Sequence, residues 1–215
     1  MGSTFTHTPS VYHFFIFHIA GGHGYIKSNK QEQILRDVRI AAVWEGTTGI
    51  QALDLLGRKI MMGKLKPINE HCGKLRSKAL NLMMNGSSSS VKKHAWELLK
   101  LAVQWQYCTY KIGAAAANNR DAIGVASVDY LMYSGYVTMA EHWLKMEEAA
   151  AKNINNSDSE HPKEYYQAKI QTAEFYFNNI LPRTETLVTT MFTPVDTVMQ
   201  MKEDHFSFDH ALGAN

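Results

Sequence analysis

Between positions 91 and 117, Leu98, Leu101, Trp105, Cys108 and Ile112 return every three or four residues. Between 120 and 150, Val125, Val128, Met132, Tyr136, Met139, Trp143 and Met146 do the same, as do Tyr166, Ile170, Ala173, Phe177 and Ile180 within 163–192. A period of three to four places each set on one side of a helix, and no alternating strand pattern longer than a few residues competes with it. Three long helices, each with an apolar stripe, must bury those stripes against one another. The spacing therefore predicts an all-α chain built as a helical bundle.

Shorter segments extend this reading. Ser28-x-x-Gln31 has the form of a capping box and opens "SNKQEQILRDVRIAAVW", with Ile34, Leu35, Val38 and Ile40 as its apolar positions. Thr48-x-x-Gln51 is a second such box, followed by Leu53, Leu56 and Ile60 and stopped by Gly63. A shorter helix is expected over 70–84, and Pro182 is expected to interrupt the last one. "NGSSSS" (85–90) reads as a flexible linker or loop and "AKNINNSDSEHP" (151–162) as a loop. The expectation is about six helices in two groups, 28–62 and a bundle from 70 to about 192. The Met and aromatic residues on the stripes are read as core, so no site is assigned within 91–192.

The bulk chemistry excludes more than it suggests. A formal net charge of +2 on 215 residues gives no electrostatic case for nucleic acid or an anionic membrane. Cys72 and Cys108 form neither a disulfide framework nor a metal spacing, which fits a reducing compartment. His7, His13, His18 and His23 are spread out, His161 and His205 stand alone, and neither HExxH nor CxxC occurs, so no metal site is expected. "VYHFFIFHIA" (11–20) is too short to span a bilayer and has no preceding Lys or Arg; it reads as a buried strand or helix. "AGGHGY" (20–25) could expose backbone N–H groups to a phosphate, but matches no full phosphate-loop pattern, and a plain turn explains it as well.

One residue stands out. In "AAVWEGTTGIQ" (41–51) the carboxylate Glu45 ends an apolar run and precedes a Gly-Thr-Thr-Gly turn. Either Glu45 complements the N-terminus of the next helix, or it is held in an apolar setting that raises its pKa toward that of a general base.

The stretch "GGHGY…QEQILRDVRIAAVWEGTTGIQALDLLGRKI" (21–60) resembles the C-terminal signature of the acyl-CoA dehydrogenases: a Gly-Gly-x-Gly turn, an "LRD" helix, an apolar lead into "EGT", then a helix with an Arg. "YYQAKIQTAEFYFNNILPRTETL" (165–187) resembles the extra C-terminal helical domain of the longer members, among them bacterial enzymes acting on methylthio-propanoyl-CoA. The resemblance covers about 21–210. It implies a division into an irregular segment 1–20, the end of the dehydrogenase C-terminal domain over 21–64, and the extra bundle over 65–215. It implies Glu45 as catalytic base, Gly21, Gly22 and Thr47 as FAD-binding, Gly46 offering backbone to the thioester, and Arg58 as structural. It implies an acyl-CoA substrate, electron transfer to an electron-transfer flavoprotein, and a homo-oligomeric full-length enzyme. The sequence departs from the family where His18 replaces a Gln ahead of the Gly-Gly turn and where Gly49 replaces a second Gln. Segment 5–20 does not resemble the family helix expected there, and poor packing is expected for it. The family's N-terminal helical and central β domains have no counterpart in the chain, which reads as the C-terminal portion of such an enzyme.

Overall fold

The computed structural model describes residues 19–39, 46–156, 159–202 and 205. Most of segment 5–20, Ile40 and Glu45 lie outside them. Among the described residues every regular element is helical. In chain order these are α1 (Gly22–Tyr25), a 3₁₀ turn (Lys27–Asn29), α2 (Gln31–Arg39), α3 (Thr48–Leu53) continuing into a π-helical stretch (Asp54–Met62), α4 (Lys66–Asn85), α5 (Ser89–Asn118), α6 (Asp121–Asn153), α7 (Lys163–Phe175) continuing into a π turn (Tyr176–Ile180), α8 (Arg183–Met191) and α9 (Asp196–Met199). No described helix is long and apolar enough to cross a membrane.

The boundaries follow from local chemistry. Pro67 sits in the first turn of α4, where its missing N–H costs nothing. The side chain of Ser88 caps α5 by accepting from the Val91 backbone N–H at 3.1 Å. The Asn119 side-chain oxygen accepts from the Asp121 N–H at 3.0 Å and opens α6. Pro182 ends the α7 segment: the Leu181 N–H reaches back to the Tyr176 carbonyl at 2.9 Å, and a new helix starts at Arg183. The expected helix over 163–192 is thus two helices.

Two expected caps are displaced. Ser28 lies inside the 3₁₀ turn, and Lys30 adopts a left-handed conformation (φ 60°) before α2 begins at Gln31, so Ser28 cannot cap it. The N-cap of α3 is Thr47, one residue before the expected Thr48. Gly63 does end the π stretch, as expected. The helix expected over 70–84 starts a turn earlier, at Lys66.

Hydrogen bonds between side chains give the register. α4 and α5 run antiparallel: Asn69 accepts from Gln106 at 2.9 Å and from the Tyr110 hydroxyl at 3.1 Å, and the Arg76 guanidinium donates to Gln106. α5 and α6 are also antiparallel, with the Thr109 and Tyr130 hydroxyls 2.7 Å apart and the Tyr133 hydroxyl donating to the Leu101 carbonyl at 2.9 Å. α6 is the central element and packs against α3 with its π extension, α5, α7 and α8. Leu56 and Ile60 of the π stretch belong to the same core as Leu75, Leu98, Trp105, Tyr130, Tyr133 and Leu144. α2 and the 3₁₀ turn make their main contacts with each other and with α1.

The α5 stripe is buried as expected at Leu98, Trp105, Cys108 and Ile112, with Leu101 beside it. The α6 stripe is not. Its buried line is Ala126, Tyr130, Tyr133, Val137, Ala140, Leu144 and Glu147, whereas Val128 and Met146 are exposed and Met132, Tyr136, Met139 and Trp143 flank the core half-buried. Because α6 has neighbours on most sides, apolar residues wrap around it. The buried line is built largely of alanines and tyrosines, and the tyrosine hydroxyls are satisfied by bonds such as Tyr133 to Leu101. Cys72 and Cys108 are free and buried in this core; loss of solvation pushes both thiols up to about 11, with Arg76 and Lys111 opposing weakly, so they are inert thiols.

The Ser-rich turn is not a loose linker. Ser87 donates its backbone N–H (3.0 Å) and hydroxyl (2.9 Å) to Glu148, and Ser90 donates its hydroxyl to Glu147 at 2.7 Å. The other Glu147 oxygen lies 2.7 Å from Nδ1 of His94, and the His94 ring stacks flat on Phe177 with centroids 4.1 Å apart. Both members of the His94–Glu147 pair are fully buried. Glu147→Gln turns one acceptor oxygen into a donor facing Ser90 or His94. It should cost about 1–3 kcal/mol, the cost of an unsatisfied buried group, read as a lower urea midpoint. Burial acts to raise the Glu148 pKa, but the Ser87 backbone N–H, the Lys152 ammonium and the Ser87 hydroxyl outweigh it and hold the carboxyl below its ordinary value. A lowered folded pKa contributes stability above the ordinary carboxyl pKa, and that contribution is lost as pH falls through the folded value. The turn should therefore loosen in acid, and Glu148→Gln should flatten the acid limb of a stability–pH curve.

Candidate functional site

The sequence places its candidate chemistry in two short turns. The first is 46–48. Gly46 has φ 98°, a left-handed conformation that side chains strain to adopt, and a Cβ there would lie 2.9 Å from the Gln51 side-chain nitrogen. Thr47 follows in an extended conformation (φ −65°, ψ 155°), and its carbonyl accepts the Gln51 N–H at 3.0 Å to start α3. The Thr47 side chain makes no capping bond, and both Gly46 and Thr47 face solvent. One turn further, Asp54 bonds the Arg58 guanidinium and lies 3.2 Å from Lys59. Hydrogen bonding to Arg58 lowers the Asp54 pKa, and Asp54 in turn raises that of Arg58. This i,i+4 pair agrees with a structural reading of Arg58.

The second turn is 21–24. Gly21 has φ 55°, its carbonyl accepts the Gly24 N–H at 3.0 Å, and nothing lies within 4 Å of the space a Cβ would fill at Gly21 or Gly22. Both glycines are exposed, so a ligand can reach their backbone closely. Among the described residues no cluster of His, Cys, Asp and Glu is arranged to hold a metal ion.

An open groove of about 900 Å³ begins where α3 widens into its π stretch. It is lined by Leu53, Met61, Met62, Ile123, Val198 and Met199 among others, with Arg58 and Arg120 also in its wall. A second groove, of about 660 Å³, lies between α4 and α6. Sequence reasoning assigned neither. For the second, the available signal was the spacing of Lys74 with Lys78 and of Lys145 with Lys152, each set confined to one face of its helix.

Two family models match the chain. One, described as acetyl-CoA dehydrogenase C-terminal like, covers residues 65–202; the other, the acyl-CoA dehydrogenase C-terminal domain, covers 15–61. The chain belongs to the acyl-CoA dehydrogenase family. Its relatives include 3-methylmercaptopropionyl-CoA dehydrogenase of Ruegeria pomeroyi, 29% identical over 166 residues, which are 76% of this chain and 27% of the relative. The broad-specificity linear acyl-CoA dehydrogenase FadE5 of Mycobacterium tuberculosis is 26% identical over 196 residues, 86% of this chain and 31% of the relative. A butyryl-CoA dehydrogenase of Syntrophomonas wolfei is 24% identical over 197 residues, 86% of this chain and 30% of the relative. The chain thus spans under a third of the length of these acyl-CoA dehydrogenases. Its all-α bundle is that of the family's C-terminal domain.

Proposed function

We propose that the chain is the C-terminal portion of an FAD-dependent acyl-CoA dehydrogenase that removes hydrogen across the α,β bond of an acyl-CoA thioester. The observation that carries this reading is the ordered run of Gly21-Gly22, the "LRD" helix and Glu45-Gly46-Thr47-Thr48 in a chain of this family. In the proposed division, 1–20 is an irregular segment, 21–64 ends the dehydrogenase C-terminal domain, and 65–215 is the extra bundle.

Each residue has a task in this scheme. Glu45 takes the α-proton on a carboxylate oxygen, a step that needs a desolvated carboxylate with a raised pKa. Gly46 presents backbone to the thioester. Thr47, whose hydroxyl makes no capping bond, donates to FAD, and Gly21 and Gly22 let the flavin nucleotide approach their backbone. Bound FAD supplies the acceptor for the β-hydride. All four described residues are exposed and so open to a ligand; in this reading the rest of the site comes from the other domains and a neighbouring subunit of a homo-oligomer. Electrons then pass to an electron-transfer flavoprotein.

A second reading is a non-catalytic helical oligomerisation module that keeps the signature as structure; the self-contained core of α3–α8 supports it. The flavin absorbance spectrum separates the two. Stoichiometric FAD bleached by acyl-CoA in an assembly containing this chain is expected for the dehydrogenase. Assembly without flavin would favour the module.

A further inference from the structure

We propose that the groove between α4 and α6 is a binding site for a dianionic phosphoryl group, carried by a free phosphate, pyrophosphate or phosphate monoester, or by a phospholipid headgroup. From α4 it is lined by Lys74, Ser77, Lys78 and Asn81, which are spaced three and four residues apart and so share one helix face. From α6, Lys145, Glu148, Lys152 and Asn153 face them.

The charges in the groove do not balance. One oxygen of Glu141 accepts from both Lys78 (3.0 Å) and Lys145 (2.7 Å), so two ammonium groups are gathered at a single point. One carboxylate cannot neutralise both. Lys74, one turn before Lys78 on the same face, pairs with no carboxylate among the described residues. Lys78 and Lys145 thus share one anion while Lys74 lines the same groove unpaired, which leaves an excess of about two charges and matches a dianionic phosphoryl group. Lys152 is different: it bonds Glu148 at 2.9 Å, and Glu148 is already committed to Ser87. Ser77, Asn81 and Asn153 add neutral hydrogen-bonding side chains to the walls, which suits an anion carrying several acceptor oxygens. Glu141 is three-quarters or more covered and holds Lys78 and Lys145 in place, so the arrangement exists before any ligand arrives. This site makes no use of Glu45, Gly46, Thr47 or the Gly-Gly turn, and it stands whether or not the dehydrogenase reading does.

The experiment is a titration of the folded chain with inorganic phosphate and with pyrophosphate at low ionic strength, followed by calorimetry and ³¹P NMR. Parallel sedimentation with phosphatidylcholine vesicles with and without phosphatidic acid assigns the source: binding confined to the phosphatidic acid vesicles identifies a lipid headgroup, and binding of the free anions a soluble ligand. Lys74→Ala should weaken binding about 10- to 100-fold, the loss of one charge-assisted hydrogen bond, and Lys78→Ala/Lys145→Ala should abolish it. Lys152→Ala should change affinity less than threefold. Glu141→Gln keeps an amide oxygen that can still accept from Lys78 and Lys145 but removes the competing charge, and should tighten binding about tenfold; a purely structural role for these lysines does not predict that. Lys74→Ala, which breaks no ion pair, carries the test if the double variant fails to fold. Absence of binding in every arm, or equal affinity in the parent chain, Lys74→Ala and Glu141→Gln, would overturn the proposal.

Discussion

Trp105→Ala is expected to lower the unfolding free energy by about 3–5 kcal/mol, the usual range for emptying a large buried aromatic site. Trp105 is 4% exposed and packs edge-on against His71, Tyr130 and Tyr133, with ring centroids 5.4, 6.4 and 6.2 Å away. These partners come from α4 and α6, so the indole joins three helices at once. One feature works against the full figure. Among the described residues the buried indole N–H meets no acceptor in good hydrogen-bond geometry, only a weak interaction with the Tyr130 hydroxyl, so its burial carries part of a desolvation cost of about 1–3 kcal/mol. Trp105→Phe removes that poorly satisfied donor while keeping one aromatic ring, and should cost clearly less than Trp105→Ala. Urea unfolding of both variants checks this. Equal losses for Ala and Phe would show that volume is not what matters at this position.

The second large effect concerns Glu45. In an enzyme assembled with the remaining domains, Glu45→Gln should lower acyl-CoA oxidation roughly 10²–10⁴-fold, the range for losing a general base. Gln is isosteric and cannot accept the α-proton, and no second carboxylate occurs in "AAVWEGTTG" to replace it. Flavin content and KM should stay close to those of the parent, which separates lost proton transfer from lost binding. The assay is reduction of an artificial electron acceptor by acyl-CoA. A variant that keeps more than a tenth of the parent rate would remove Glu45 from the chemistry.

The helical class and the α5 core were legible because a single-faced stripe translates directly into burial: Leu98, Trp105, Cys108 and Ile112 are where the period put them. The same rule failed on α6 for a physical reason. Periodicity finds the most hydrophobic line, but a helix with neighbours on most sides has apolar residues on several faces, and here the fully buried line contains Ala126, Ala140, Tyr130, Tyr133 and even Glu147, whose polar groups are hydrogen-bonded. The Ser-rich segment is a loop at 86–88, one of the two readings its composition allowed, but its anchoring was not legible because its partners, Glu147 and Glu148, are about 60 residues away in sequence. Composition shows Ser87 and Ser90 as polar and cannot show that two carboxylates are waiting for them. The family signature was legible because its parts occur in order. The local backbone of Gly46, Thr47, Gly21 and Gly22 was only partly so: glycines at left-handed positions were foreseeable, whereas the move of the α3 cap from Thr48 to Thr47 depends on where the chain turns.

The placement of α6 has a consequence for how the chain assembles. Contacts between α4 and α5 and between α5 and α6 join neighbours in sequence and can form early, at low loop-closure cost. The stretch 48–62 must instead return across some sixty intervening residues to meet α6. Its docking closes a long loop and is expected to come late. The residues next to Glu45 would then be the last part of the core to be fixed and the first to come free. The turn assigned to the chemistry would open and reclose while the bundle behind it stays folded.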